Sequence, residues 1–282
     1  MQDKIIILGL GFVGQANAIA LARMGFEIWA KDIREVENLY ATKDFDKIHI
    51  FTDSKELPFT AADKVPAMVC VNAHNTASGQ DLNPAQRALA EARKVTQGLV
   101  ILRTTIVPKH LKSLDFDLYL PEFLHERMAL YEVQFPEILV LGYKDKTSAD
   151  MELPKFILNW KEYVQHNPSR KFFEGSAEEA AYIKYLINIW NSMRIGFVNE
   201  FGRAIIKEGF TRDHEKIIDF VMDGAYYLRY GKSFGGHCLR KDTEGFYAEH
   251  GDMKILKGLI DSNMDHEKFT EDHDAKELYY GD

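Results

Sequence analysis

Eleven residues near the start, K-I-I-I-L-G-L-G-F-V-G at positions 4–14, constrain this chain more than any other feature. A short continuous apolar run that ends at a glycine reads as a strand covered on both faces. The stretch F-V-G-Q-A-N-A-I-A-L-A-R-M that follows reads as a helix. Glycines spaced G-x-G-x-x-G between a strand and a helix permit a tight turn and let the main chain approach a pyrophosphate at the helix N-terminus. Here they are Gly9, Gly11 and Gly14, with Phe12 and Val13 opening the helix. The next strand, E-I-W-A-K-D, ends in Asp32, 18 residues beyond Gly14. A carboxylate there accepts hydrogen bonds from adenine ribose hydroxyls and repels a 2′-phosphate, so NAD is favoured over NADP. Lys31 and Arg34 flank it and soften that preference. The alternative is a glycine turn of structural use only.

The rest of the first half repeats the alternation. I-H-I-F, A-M-V-C-V-N, G-L-V-I-L-R-T, D-L-Y-L and E-I-L-V-L-G read as strands, and residues 83–96 as a helix with Pro84 in its first turn. Strands alternating with helices predict a parallel α/β sheet of Rossmann type. All eight prolines lie at or before Pro168. Because proline breaks helix interiors, the proline-free remainder predicts an all-helical second half. Its first helix starts at Ser176, with Glu179 three residues on forming a capping box, and stops near Gly209. It is apolar nearly all round, which predicts one long buried helix. The expected division is residues 1–175, an α/β dinucleotide-binding domain, and residues 176–282, a helical domain.

Several function classes drop out on composition. The net charge is −8, and eight acidic residues against two lysines from Asp261 to Asp282 carry most of it. The remainder is close to balanced, which argues against a nucleic-acid-binding surface. The acidic tail reads as a solvated or disordered end. Two distant cysteines provide neither a disulfide framework nor zinc spacing, and no metal site is expected. His49, His74, His250, His266 and His273 have no ligand spacing and read as surface residues. No signal peptide and no segment of membrane-spanning length is present, so a reduced, cytoplasmic protein is expected.

Four further stretches carry candidate chemistry. In G-K-S-F-G-G-H-C-L-R-K-D, residues 231–242, Cys238 sits in a glycine-rich loop beside His237, Arg240, Lys241 and Asp242. Nearby positive charge raises a thiol's thiolate fraction. Cys70, in A-M-V-C-V-N, reads instead as a buried strand residue. Lys184 and Asn188, four apart on the long helix with Asn191 on the same side, need either partners or a cavity. Both L-P-E-F-L-H-E-R, containing Glu122, and R-T-T-I-V-P, residues 103–108, end strands, and strand C-termini face the ligand crevice of open α/β sheets. Each alone also has an ordinary structural reading.

In this order the motifs resemble those of the UDP-glucose/GDP-mannose dehydrogenase family. R-T-T-I-V-P is similar to its R-S-T-V-x-P, L-P-E-F-L-H-E to N-P-E-F-L-R-E, A-A-Y-I-K-Y-L-I-N to A-E-x-x-K-Y-x-x-N, and F-G-G-H-C-L-R-K-D to F-G-G-S-C-F-P-K-D. The resemblance implies NAD as cofactor and a four-electron oxidation of an alcohol to an acid through a thioester on Cys238. It implies that Glu122 handles the proton of the hydrolytic water and that Lys184 and Asn188 steady an oxyanion. Asp242 would orient water and Lys184, Thr105 would lie near cofactor and reacting carbon, and Lys241 would join the site. The substrate expected is a sugar nucleotide or a smaller sugar-like alcohol.

The chain departs from the family pattern at His237 (for serine), Arg240 (for proline), Lys109 (for glycine), Ala181 (for glutamate) and Leu120 (for asparagine). His237 is expected to modify the thiol. No second set of strands follows the helical region, so the chain reads as a short form without the family's second nucleotide-binding domain. The proline-free helices suit a homodimer core. Two other readings stand beside this one: a non-catalytic NAD-binding descendant, and a two-electron hydroxy-acid-type dehydrogenase in which Cys238 is dispensable.

Overall fold

The computed structural model describes residues 4–76, 79–145, 151–210, 214–222 and 231–272. Contacts group the chain into two units, Met1–Thr76 with Gln80–Lys184, and Ala77–Gly79 with Tyr185–Asp282.

The first unit is built on the apolar run that opens the chain. Strand β1 (Lys4–Leu8) pairs with β2 (Glu27–Lys31) on one side and β4 (Ala67–Val69) on the other. With β3 (Ile48–Ile50), β5 (Val100–Leu102), β6 (Leu118–Tyr119), β7 (Ile138–Tyr143) and β8 (Lys171–Ser176) they form one sheet, in the order β8-β7-β6-β5-β4-β1-β2-β3. β1 is continuous in apolar residues because both faces are covered. Ile5 and Ile7 pack on one side with helices α1 (Phe12–Arg23), α3 (Ala129–Gln134) and α4 (Lys155–Gln165). Ile6 and Leu8 pack on the other with α2 (Asn83–Val95) and with Ala177, Ala180 and Ala181 of α5 (Ala177–Lys207). Each fully buried isoleucine of this kind contributes about 1.5–3 kcal/mol.

The sheet is parallel from β3 through β6, as the alternation predicts. Beyond it, β7 runs antiparallel to β6, and β8 pairs parallel with β7. The reversal and the extra strand β8, K-F-F-E-G-S, correct the expectation of a purely parallel sheet. Phe172 and Phe173 of β8 are neighbours that pack on opposite sides of the sheet.

α5 begins as its capping box predicts. Ser176 N–H and Oγ both donate to Glu179 Oε2, at 2.8 and 2.7 Å, and Glu179 N–H returns a 3.3 Å bond to Ser176 Oγ. Gly209, at φ +92°, follows its end, and its N–H bonds to Ile206 O. Thirty-one residues make a rod about 46 Å long. The helix is not buried on all sides, however. Tyr182, Leu186, Trp190, Phe197 and Phe201 form an exposed apolar stripe along it.

The second unit continues with α6 (His214–Met222), a π-helical turn at Gly236–Arg240, α7 (Lys241–His250) and α8 (Lys254–Asp272). α5 and α8 touch closely at Gly196, where a Cβ would lie 2.4 Å from Leu259 Cδ1. The acidic segment is therefore no loose tail over Asp261–Asp272. It is the second half of α8, with Asn263 and His266 buried. His266 is thus not a surface residue, because the helical period carries it to the face shared with Leu256 and Leu259. His49 and His250 are exposed and stack on Trp29 and Phe246, His74 is exposed, and His273 lies outside the described residues. Among the described residues no helix is long and apolar enough to cross a membrane.

Candidate active site

The glycine turn is built as its spacing requires. Gly9 has φ +95°, and a Cβ on it would stand 2.7 Å from Cys70 O. A Cβ on Gly14 would stand 1.8 Å from Gly9 O, so a side chain there is excluded. A Cβ on Gly11, the residue that precedes α1, would meet nothing within 4 Å. Open ground thus lies before a helix N-terminus whose first turn holds no acidic side chain, an arrangement suited to a pyrophosphate.

Asp32 is anchored to this turn. Its Oδ2 accepts the N–H of Leu10 at 2.7 Å and its Oδ1 the N–H of Arg34 at 3.0 Å. Lys31 is taken up by Glu91 at 2.9 Å, while the Arg34 side chain remains largely in solvent. Gln15, unnoticed in the sequence, braces the turn from α1. Buried, it donates to Leu10 O and Glu37 O and accepts from Leu39 N–H. Its one signal was a polar residue straight after the third glycine of an otherwise apolar helix. Burial pushes the Cys70 thiol up to about 12, in keeping with an inert packing residue.

A second cluster of the first unit lies at the strand ends. Glu122, just beyond β6, is buried; its Oε1 accepts from Lys184 Nζ at 3.1 Å and its Oε2 from Leu124 N–H at 2.9 Å. Burial alone would raise this carboxyl. It is outweighed by the attraction of Lys184, the Leu124 and Lys184 hydrogen bonds and the charge of Arg103, so the group is held below the usual glutamate value. Lys184 is equally buried and lies over the Phe123 ring. Arg103 reaches from the end of β5 to Leu120 O and packs over Trp160. Thr105 is half-buried in the adjoining loop, which Gln80 pins through Thr105 O and Val107 N–H. Leu120 and Ala181, two of the departures from the family pattern, are apolar because they pack in the core on the two sides of the sheet.

The second unit gathers its own set. Asn188 Nδ2 donates to Asp242 Oδ2 at 2.6 Å, and Lys241 Nζ lies 2.7 Å from Asp242 Oδ1. Ser192 and Thr243 extend the network, Thr243 Oγ1 to Ser192 Oγ and Ser192 Oγ to Asn188 O. The buried polar face of α5 thus runs Lys184, Asn188, Ser192. Asn191, expected on this face, is half-buried and bonds Arg194 instead.

Cys238 is exposed, but not in a loop. It lies in the π-helical turn that runs straight into α7, one helical turn before Asp242. The cations expected to act on it are already engaged: Arg240 by Glu244 and Glu267, Lys241 by Asp242. The side chain of His237 lies outside the described residues. Among the described residues no three His, Cys, Asp or Glu side chains are grouped to hold a metal ion.

The sequence model for the central domain of the UDP-glucose/GDP-mannose dehydrogenase family matches residues 178–265, which hold Lys184, Asn188, Cys238 and Asp242. Over that stretch the chain is similar to that family. It is 25% identical to a UDP-glucose 6-dehydrogenase of Campylobacter jejuni over 94% of its own length and 73% of the relative's. It is 23% identical to a GDP-mannose 6-dehydrogenase of Pseudomonas aeruginosa over 93% and 67%. Its fold matches that of a UDP-D-ManNAc dehydrogenase of Pyrococcus horikoshii, with a TM-score of 0.77 at 18% identity, over 95% of this chain and 70% of that one. The glycine turn, with Asp32 tied to it, fits NAD as cofactor.

Proposed function

We propose that the chain oxidises the primary alcohol of a sugar nucleotide to the carboxylic acid in two successive two-electron steps, with Cys238 as covalent nucleophile. The single observation that carries this reading is the buried pair of Lys184 and Glu122, which keeps a carboxylate ionised and a cation fixed at the strand ends. Binding a dinucleotide requires neither.

Gly9, Gly11, Phe12, Val13, Gly14 and Asp32, with Thr105 nearby, would hold NAD, which would supply the hydride acceptor for both oxidations. The first oxidation leaves an aldehyde and releases the hydroxyl proton. The Cys238 thiolate adds to the aldehyde carbon, forming a C–S bond and an oxyanion. Lys184 Nζ and Asn188 Nδ2 are the donors for that oxyanion, as fixed dipoles and charges in a dry site are most effective. Asp242 sets the orientation of Asn188 and holds Lys241, and it orients the hydrolytic water. The second oxidation converts the adduct to a thioester. Water, losing its proton to Glu122, attacks the thioester carbonyl; the C–S bond breaks and the Cys238 thiolate leaves. One alcohol, one water and two NAD give one carboxylate, two NADH and three protons.

The exposed stripe of Tyr182, Leu186, Trp190, Phe197 and Phe201 supports a homodimer through α5, because contiguous apolar surface of this kind marks an interaction site. The buried Cys70 thiol, with no second cysteine near it in sequence, supports a cytoplasmic setting.

The test counts NADH per substrate consumed across UDP-, GDP- and unlinked sugars, for wild type and Cys238→Ser. About two NADH, with the second lost in the variant, is the expected result. About one NADH, unaffected by the substitution, would assign a two-electron dehydrogenase instead. NAD binding with no turnover on any substrate would point to a non-catalytic descendant.

A further inference from the structure

The segment from Gly231 to Arg240, which carries Cys238, is irregular up to Gly235 and yet partly buried, with Phe234 only 2% exposed. Main-chain groups in such a place need partners. Side chains of two helices supply them. Asn199 of α5 accepts from Gly231 N–H at 3.0 Å and donates to Lys232 O at 2.9 Å. His266 Nε2 lies 2.6 Å from Gly231 O; a carbonyl only accepts, so this nitrogen carries the proton. Asn263 holds both groups of Phe234, accepting from its N–H at 2.8 Å and donating to its O at 3.0 Å. Asn199, Asn263 and His266 are all buried.

The far end of the segment is held from the same helix. Glu267 Oε1 receives Arg240 Nη1 at 3.1 Å and Ser233 Oγ at 3.4 Å. Asn263, His266 and Glu267 stand at i, i+3 and i+4, so they share one face of α8. The departure at Arg240 gains a physical role from this. Where the family pattern has a proline, here an arginine ties the turn to α8.

We propose that α8 is the template that fixes the nucleophile-bearing segment, with Asn263, His266 and Glu267, joined by Asn199, as positioning residues that bracket Cys238 on both sides. The proposal rests on the assignment of Cys238 as nucleophile. Reactions through a fixed nucleophile lose about a hundredfold for a displacement near 1 Å, so slackening either anchor reaches the chemistry without touching substrate or cofactor.

The experiment compares wild type with Asn263→Ala, His266→Leu, His266→Gln, Glu267→Gln and Cys238→Ser. Three quantities are read: the pH profile of Cys238 alkylation by iodoacetamide, kcat and KM for the full oxidation, and the NAD dissociation constant. Cys70 does not interfere, being buried with its thiol pushed up to about 12. Asn263→Ala and His266→Leu should shift the alkylation profile and lower kcat about tenfold or more, with NAD affinity unchanged. His266→Gln keeps an amide donor and should recover most of the loss. Glu267→Gln, at the surface, should lower kcat about threefold and leave the core untouched. It therefore decides the matter even if the core variants fail to fold. An unchanged alkylation profile and kcat in Glu267→Gln, and in whichever core variants bind NAD normally, would overturn the proposal. If Cys238→Ser retains the second oxidation, the nucleophile assignment is what fails. The alkylation profile still reads the clamp, because it needs no turnover.

Discussion

At the scale of single residues, the buried pair of Glu122 and Lys184 makes the sharpest stability prediction. Removing one partner of a buried ion pair leaves the other charge stranded, so Lys184→Met should cost about 3–5 kcal/mol in denaturant unfolding. Adding Glu122→Gln to it should recover most of that loss. The pH dependence follows from the same geometry. The folded-state value of Glu122 lies below 4.5, so the stability it contributes is fully present above that unfolded value. It is lost as pH falls through the lower folded value. The stability difference between wild type and Glu122→Gln should be flat above about pH 4.5 and shrink below it. At the glycine turn, Gly14→Ala drives a methyl into Gly9 O and should weaken NAD binding by at least about tenfold in calorimetry. Glu122, Lys184 and Gly14 were legible because each sits in a motif whose chemistry restricts the residue type. Gln15, Arg103 and His266 were not. Their partners are main-chain groups distant in sequence, and a polar residue bonded to backbone leaves no spacing of its own. His266 was further hidden among acidic neighbours that read as solvent-facing.

At the scale of elements, what proved legible was whatever has a terminal signal. α5 was bounded by Ser176, Glu179 and Gly209, and the structure keeps those bounds. The direction of β7 was not legible, because a strand's own residues do not record which way its neighbour runs. β8 was missed because adjacent phenylalanines facing opposite sides of a sheet break the alternation expected of a half-buried strand. The Cys238 segment read as a loop because glycines dominate it, whereas Gly236–Arg240 already form a helical turn that leads into α7. The contact between α5 and α8 at Gly196 carries a prediction of its own. Gly196→Val overpacks the site against Leu259 and should lower stability by about 1–3 kcal/mol. Because α8 also bears Asn263 and His266, the same variant should slow alkylation of Cys238.

At the scale of the whole molecule, both the α/β character and the helical second half could be read from the position of the prolines and the alternation of strands and helices. The exposed apolar stripe of α5 could not. An apolar residue facing a core and one facing a partner are the same letter, and the expectation of a helix buried on all sides followed from that. Exposure separates them: Leu186 is 66% and Trp190 57% accessible, in line with each other on α5. Leu186→Glu with Trp190→Glu should leave the far-ultraviolet spectrum and NAD affinity intact while reducing the mass in light scattering from dimer to monomer. A mass unchanged by the pair of substitutions would remove α5 as the subunit contact.

The anchoring of Asp32 bears on how easily such a protein could change its coenzyme. Its carboxylate has a structural duty, taking the N–H of Leu10 and so holding the glycine turn, besides the ribose contact assigned to it. Replacing it with a neutral residue to admit a phosphorylated ribose would release the turn in the same stroke. Exchange of coenzyme in this chain therefore calls for a paired change, one residue to accept the phosphate and another to re-tie Leu10. A lineage moving by single substitutions would have to pass through a less stable turn to get there.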